Sequence, residues 1–303
     1  MSIFKQIRSY IFSRFFYYRF KYTPVEKWDK IISQQFFLLK GEKMNWENPR
    51  TFDQKIQWLK LYDHSELRTR LTDKYEVRNW IKEKIGEEYL VTLLGKWDRP
   101  EDIDYNSLPS KFVLKANHGC GCNYIVTDKS LVDNDEVNSK FKKWLATNYA
   151  YLCGELQYKE IKPCIIAEEY IADLDGDIPD YKVWCFNGKA EYVMYLSERS
   201  KGLKMAFFNR EWEKQDFVYS YAKNESEIPK PEQLEELIAL AETLAKGFYH
   251  VRVDFYILKN GQIKFGEMTF SSAGGKSKWH PTDADLYLGS LLRLPIERGN
   301  CDE

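Results

Sequence analysis

The sequence has no apolar run approaching the ~20 residues that a membrane-spanning helix needs, and no signal-peptide pattern at its start. It has no internal repeat and no low-complexity linker. Net charge is −1, so there is no global field of the kind that draws a protein to nucleic acid, and no nucleic-acid partner is expected. The six cysteines, Cys120, Cys122, Cys153, Cys164, Cys185 and Cys301, show neither paired C-x-x-C spacing nor a disulfide framework. Reduced thiols in a cytoplasmic protein are the simplest account. The phosphate-binding pattern G-x-x-x-x-G-K-[ST] is also missing.

What is present is the composition of a soluble globular chain of 303 residues, 16% aromatic and 30% charged, long enough for two or three lobes. The opening stretch, MSIFKQIRSYIFSRFFYYRFKYTP, holds five basic residues and no acid before Glu26, interleaved with Phe, Tyr and Ile. Segments of this kind lie on anionic membrane surfaces; a helix packed on its own domain is the competing reading for residues 1–22. Helices dominate up to about residue 95. TFDQKIQWLKLY opens on a Thr51-x-x-Gln54 capping box and sets Phe52, Ile56 and Leu59 on one face. TDKYEVRNWIKEKIG has a cap at Thr72 or Asp73 and stops at Gly86.

From Phe112 strands take over. FVLKA, NYIVT and CIIAEEYI read as strands, with a helix through Val137, Phe141 and Trp144 between the last two. Two hairpins follow, DYKVWCFNGKAEYVMYL and VRVDFYILKNGQIKFGEMTF, each turning on Asn-Gly, the dipeptide of a two-residue type I′ loop. The expected class is α+β: a helical region over residues 1–72, then 73–303 with a small lobe at about 110–170 and a larger antiparallel lobe at about 171–295.

A two-residue loop at Asn260-Gly261 places Asp254 across from Glu267 and Arg252 across from Thr269, all on one face of the hairpin. Two opposed carboxylates repel unless water bathes them or a cation lies between, and Mg²⁺ takes carboxylate oxygens and shares them with phosphates. By this reading, neutralising Asp254 should leave the ligand-free protein no less stable. A solvated polar sheet face is the alternative. Lys115 ends a strand at the loop His118-Gly119-Cys120-Gly121-Cys122-Asn123. Backbone N–H groups of such loops wrap phosphate oxygens, and a strand-end lysine adds fixed positive charge. A strand followed by an ordinary turn has the same appearance. Beside a candidate Mg²⁺ pair, the combination suggests a nucleoside triphosphate.

The ordered series TDKYEVRNW, FVLKANHGCG, CIIAEEYI, DYKVWCFNGK, VRVDFY, FGEMTF and LGSLL resembles the TupA-like branch of the ATP-grasp superfamily, over about Asp73 to Leu294. The resemblance implies an ATP-grasp fold, two α+β lobes clamping ATP, and an ATP-dependent ligase joining a carboxylate to an amine through an acyl-phosphate. It implies ATP-phosphate contacts from Lys74 and Lys115, with the loop of His118, Gly119, Gly121 and Asn123 as a lid. Glu168, Glu169, Tyr170 and Ile171 would form the hinge against adenine and ribose. Lys182 stands where related ligases carry a basic phosphate or substrate contact, Asp254 and Glu267 match the Mg²⁺ carboxylates, and Arg252 would sit near the transferred phosphoryl group. Thr269 departs from the superfamily, which often has Asn two residues after the metal Glu. The branch further implies a uronic-acid-containing saccharide and an amine or amino acid as substrates, in bacterial surface-polysaccharide assembly. Two rival readings are a glycosyltransferase using the D-x-D-spaced Asp173, Asp175 and Asp177, and a non-catalytic scaffold. His280, in KWHPTDADLYLG, reads as structural or as a substrate contact.

Overall fold

A computed structural model describes residues 3–171, 178–198 and 202–296. In chain order the elements are α1 (Ile3–Tyr22), α2 (Trp28–Lys40), α3 (Phe52–Tyr62), α4 (Glu66–Thr72), α5 (Val77–Lys84), β1 (Leu93–Trp97), β2 (Phe112–Ala116) and β3 (Asn123–Val126). There follow α6 (Asn134–Leu145), α7 (Ala150–Cys153), β4 (Ile165–Glu169), β5 (Asp180–Phe186), β6 (Lys189–Ser197), β7 (Lys204–Phe208), β8 (Val218–Tyr219) and β9 (Ala222–Lys223). The chain ends with α8 (Leu234–Ala245), β10 (His250–Ile257), β11 (Ile263–Thr269), β12 (Trp279–His280) and α9 (Ala284–Leu291). The class is α+β, as expected.

The chain divides into two compact units: Met1–Thr23, His64–Ile178 and Phe255–Met268 form one, and Pro24–Asp63, Pro179–Asp254 and Thr269–Glu303 the other. The first 72 residues, expected as one helical region, are therefore shared between the two.

In the first unit β1, β4, β2 and β3 form an antiparallel sheet in that order. Strand alternation turns Phe112, Leu114 and Ala116 of β2, with Ile165 and Ala167 of β4, into a core against Val137 and Phe141 of α6. The residues between them, Lys115 on β2 and Glu168 on β4, are thereby sent to the opposite face. Val113 pairs with Glu168 and Lys115 with Ile166, so Lys115 and Glu168 are diagonal neighbours.

In the second unit the sheet order is β11-β10-β5-β6-β7-β9, and the division between units passes through the β10–β11 hairpin. Its core joins Trp184, Phe207 and Trp279 to Phe52, Ile56 and Leu59 of α3, the face expected from spacing. The Thr51 hydroxyl accepts from Gln54 N at 3.3 Å, as a capping box requires; the Gln54 side chain accepts from Arg50 N at 2.9 Å, one residue earlier than the motif predicts.

The two Asn-Gly turns differ. Phe186 pairs with Lys189 across Asn187 (φ 49°) and Gly188 (φ 83°), the expected two-residue type I′ loop. At the second, Leu258 N donates to Gln262 O at 2.9 Å and Gly261 N to Leu258 O at 2.8 Å, while only Gly261 has positive φ, 82°. This loop has three residues, Lys259, Asn260 and Gly261, with Gly261 taking the left-handed bulge position. The expected two-residue loop is thus corrected, and with it the pairing next to the turn.

Candidate functional site

In the first unit, the sheet face opposite the core gathers three cations. Lys115 Nζ lies 2.5 Å from Glu168 Oε2, and Arg78 Nη1 2.9 Å from Glu168 Oε1. Lys74 Nζ donates to Gly119 O at 2.6 Å, and all three basic side chains, Glu168 and Gly266 line one small cavity of about 10 Å³. Arg78 was not singled out in the sequence, although it follows Lys74 by four residues, the spacing of one helical face. Asn117 holds this arrangement to the loop: its side chain donates to Asp73 Oδ2 at 2.8 Å and to Lys162 O at 3.0 Å. Its carbonyl accepts from Lys74 N at 3.0 Å. Burial pushes the Asp73 carboxyl above its ordinary value, although Tyr75 N, Glu76 N and Asn117 donate to it.

The loop from His118 to Asn123, expected as a lid, has a fixed rear. His118 is buried, with Nε2 at 3.2 Å from both Trp144 O and Thr147 O, and Nδ1 at 3.2 Å from Asn117 Oδ1. Its burial lowers its pKa. His118 therefore ties the loop to the end of α6, a position different from a lid residue turned toward ligand. Gly119 is required by space, since a Cβ there would come within 2.4 Å of the Tyr149 ring; Gly121, at φ 71°, is required by conformation. Tyr149 OH donates to Cys120 O at 2.7 Å. Asn123 is exposed and pairs with Lys115 across the β2–β3 ladder. Of the expected hinge residues, Glu168 is buried between its two cations. Glu169 is exposed, with its N–H donating to Thr92 O at 3.0 Å, and Tyr170 and Ile171 are half-buried.

The second unit holds a second cluster. Arg252 donates in a fork to Asp254, Nε to Oδ1 at 2.6 Å and Nη2 to Oδ2 at 2.7 Å, and Lys182 Nζ donates to the same Oδ2. Lys182 also lies 3.3 Å from Asp180 Oδ1, and Arg252 Nη2 donates to Thr269 Oγ1 at 3.0 Å. Asp180, Lys182, Arg252 and Asp254 are all buried. Asp180 was missed in the sequence; its place two residues before Lys182, on the same strand face, is the signal that identifies it. Glu267 is half-buried on β11. His280 is exposed on β12, opposite Val218, and Asp173, Asp175 and Asp177 lie outside the described residues. Among the described residues no group of three or more His, Cys, Asp or Glu is placed to hold a metal ion.

The chemistry of the first cluster fits the phosphate implied by the sequence. Three cations against one carboxylate leave this cluster with net positive charge, as a polyphosphate site requires. Asp254 holds cations on both oxygens, Arg252 on the two together and Lys182 on Oδ2.

A family profile described as TupA-like ATPgrasp matches residues 54–293, and the chain belongs to that family. Comparison with curated proteins finds no match. Among solved structures, similarity extends to an L-amino acid ligase from Bacillus licheniformis at 15% identity and a TM-score of 0.45, covering 84% of this chain and 57% of that one. An ADP complex of N5-carboxyaminoimidazole ribonucleotide synthetase is similar at 15% identity and a TM-score of 0.45, covering 82% of this chain and 57% of that one. The N5-carboxyaminoimidazole synthetase of Staphylococcus aureus is similar at 14% identity and a TM-score of 0.36, covering 66% and 44%. The chain thus spans 44% to 57% of the length of these three.

Proposed function

We propose that this TupA-like ATP-grasp protein is an ATP-dependent carboxylate–amine ligase that attaches an amino acid or amine to a uronic acid during bacterial capsule, O-antigen or cell-wall polysaccharide assembly. The observation that carries the reading is the convergence of Lys74, Arg78 and Lys115 on one cavity in a member of this family. When bound, ATP supplies the phosphoryl group that activates a carboxylate as a mixed anhydride, and Mg²⁺ shares charge with the phosphates.

The chain's own residues position and neutralise. Lys74 and Lys115 hold phosphate oxygens, and Arg78 keeps Glu168 in place as Lys115 leaves it. The loop from His118 to Asn123, including Gly119 and Gly121, offers backbone N–H groups and closes from its anchored rear. Glu169, Tyr170 and Ile171 present backbone to adenine, and Glu168 reaches the ribose. Asp254 and Glu267 would hold Mg²⁺, which would share charge with the phosphates, and Lys182 and Arg252 would supply positive charge to the phosphoryl group. The protein acts on the cytoplasmic side of the membrane.

The test is turnover of the purified protein with ATP, Mg²⁺, a panel of amino acids and uronic-acid-containing oligosaccharides. ADP and phosphate are expected in equal amounts, only when both a carboxylate and an amine are present, with an amide product by mass. Formation of AMP and pyrophosphate, or product from a nucleotide sugar without ATP, would overturn the reading.

A further inference from the structure

Helix α1 has two apolar faces, and its own unit uses one of them. Phe16 and Phe20 are fully buried, and Tyr17 meets Tyr151 of α7 edge-on with ring centroids 5.7 Å apart. On the other side Ile11, Phe15, Tyr18 and Tyr22 recur at i, i+4, i+7 and i+11, a single stripe, and are 61%, 52%, 41% and 73% exposed. A contiguous stripe of this kind differs from the scattered apolar side chains found on any surface.

Cations border the stripe on both sides. At ~100° per residue, Arg8 and Arg19 fall along one edge and Arg14 and Lys21 along the other. Several already lie over the stripe's own rings: Arg14 is 4.7 Å from the Tyr18 centroid, Arg19 5.6 Å from Phe15 and Lys21 5.6 Å from Tyr22. The helix contains no acidic residue. Two copies packed stripe to stripe would therefore bring cations against cations with nothing to neutralise them. Among the described residues no helix is long and apolar enough to cross a membrane.

We propose that α1 seats the protein on an anionic membrane surface. The helix lies in the plane of the surface, its exposed stripe reaches the headgroup boundary, and the cations on both edges meet lipid phosphates. Phe16, Phe20 and Tyr17 at the same time keep the helix fastened to its unit, so that the catalytic machinery is held at the surface. The competing expectations for residues 1–22, packing and membrane contact, are thereby assigned to opposite faces of one helix.

Co-sedimentation with vesicles tests this independently of catalysis, because it requires neither ATP nor a substrate. The full chain is expected to bind vesicles containing one-third phosphatidylglycerol, to release at high salt, and to leave pure phosphatidylcholine vesicles largely free. Arg14→Gln with Lys21→Gln should lower partitioning about 25-fold, at about fivefold per basic residue near an anionic surface. Ile11→Ser with Phe15→Ser should abolish it. These side chains are exposed, so melting temperature and ATP turnover should hold; a failed turnover assay with intact vesicle binding would count against the ligase reading alone. Equal binding by the wild type and Ile11→Ser/Phe15→Ser overturns the proposal. So does a wild type that ignores anionic vesicles, or one whose stripe instead supports a concentration-dependent dimer lost in that variant.

Discussion

Replacing Asp254 by Asn removes one negative charge from a buried cluster of two acids and two bases, Asp180, Asp254, Lys182 and Arg252, whose exposures are 2%, 2%, 8% and 9%. From the sequence alone the change looks harmless to the ligand-free protein, since it would relieve repulsion from Glu267. The structure reverses that sign. Both Asp254 oxygens receive cationic donors, the Arg252 fork at 2.6 and 2.7 Å and Lys182 besides, so an amide would leave two buried cations short of their counter-charge. Removing one partner of a buried ion pair costs roughly 3–5 kcal/mol. Asp180, 3.3 Å from Lys182, retains part of the compensation, which places the expected loss near the lower end, about 3 kcal/mol. At roughly 2–4 °C per kcal/mol for cooperative units of this size, Tm should fall by about 6–12 °C. Calorimetry without nucleotide reads this directly, and a Lys182→Met change in the Asp254→Asn background should recover part of the loss, because the two residues couple. Adding Mg²⁺-ATP should then raise the wild-type Tm and barely move the variant. A ligand-free Asp254→Asn protein that melts at or above the wild type would refute the reasoning.

Lys115→Ala should lose at least tenfold in ATP affinity, measured by titration calorimetry, and Lys115→Arg should also fail because a planar guanidinium does not replace a compact ammonium; normal turnover by either would remove Lys115 from the phosphate site. Asp53, buried beside Lys40 and Asp285, is pushed up to about 7 chiefly by burial and by the Asp285 charge. Above its unfolded value of 3.8, the folded protein keeps a proton that the unfolded chain has lost. Stability should therefore fall as pH rises from about 4 to about 7, by up to ~1.4 kcal/mol per unit, and Asp53→Asn should flatten that slope. Parallel pH–stability curves for the two proteins would exclude this. Gly119→Ala would bring a Cβ within 2.4 Å of the Tyr149 ring and displace the loop that accepts from Lys74. It should cost about 1–3 kcal/mol and raise KM for ATP, and an unchanged KM would show that the loop does not contact nucleotide.

Residues at strand ends and on alternating faces were legible because their positions follow from local periodicity. Lys115, Arg252 and Asp254 were found in this way, whereas Lys74, Glu168 and Lys182 came only from the family resemblance. Arg78 and Asn117 were not found, because their significance comes from partners on other elements, Glu168 for Arg78 and Asp73 for Asn117; Asp180 was passed over although it stands two residues before Lys182 on the same strand face. His118 was placed in the lid because His-Gly reads as loop. Nothing nearby in the sequence shows that carbonyls 26 and 29 residues later, at Trp144 and Thr147, will cover its ring.

The two Asn-Gly turns show a finer limit, and a signal that resolves it. Asn-Gly suits a two-residue loop with both residues left-handed, and equally a three-residue loop in which only the glycine is. The dipeptide therefore marks where the chain reverses without setting which residues face each other. The flanking strands decide. A two-residue loop at Asn260-Gly261 would set Lys264 across from Ile257 and turn Ile263 and Phe265 away from the apolar face of Val251, Val253 and Phe255. With three residues, Ile263 meets Ile257 and Phe265 meets Phe255, whose ring centroids are 6.3 Å apart, and both Ile263 and Phe265 are buried. The next buried residue on β11 is Met268, so the alternation slips by one between Phe265 and Met268, as a bulge at Gly266–Glu267 produces. Beyond that slip, Arg252 donates to Thr269, the contact that the simpler register had predicted. Two single-residue offsets, one at the turn and one at the slip, cancel. Counting the inward apolar residues of both strands, rather than the turn dipeptide alone, would have revealed both offsets.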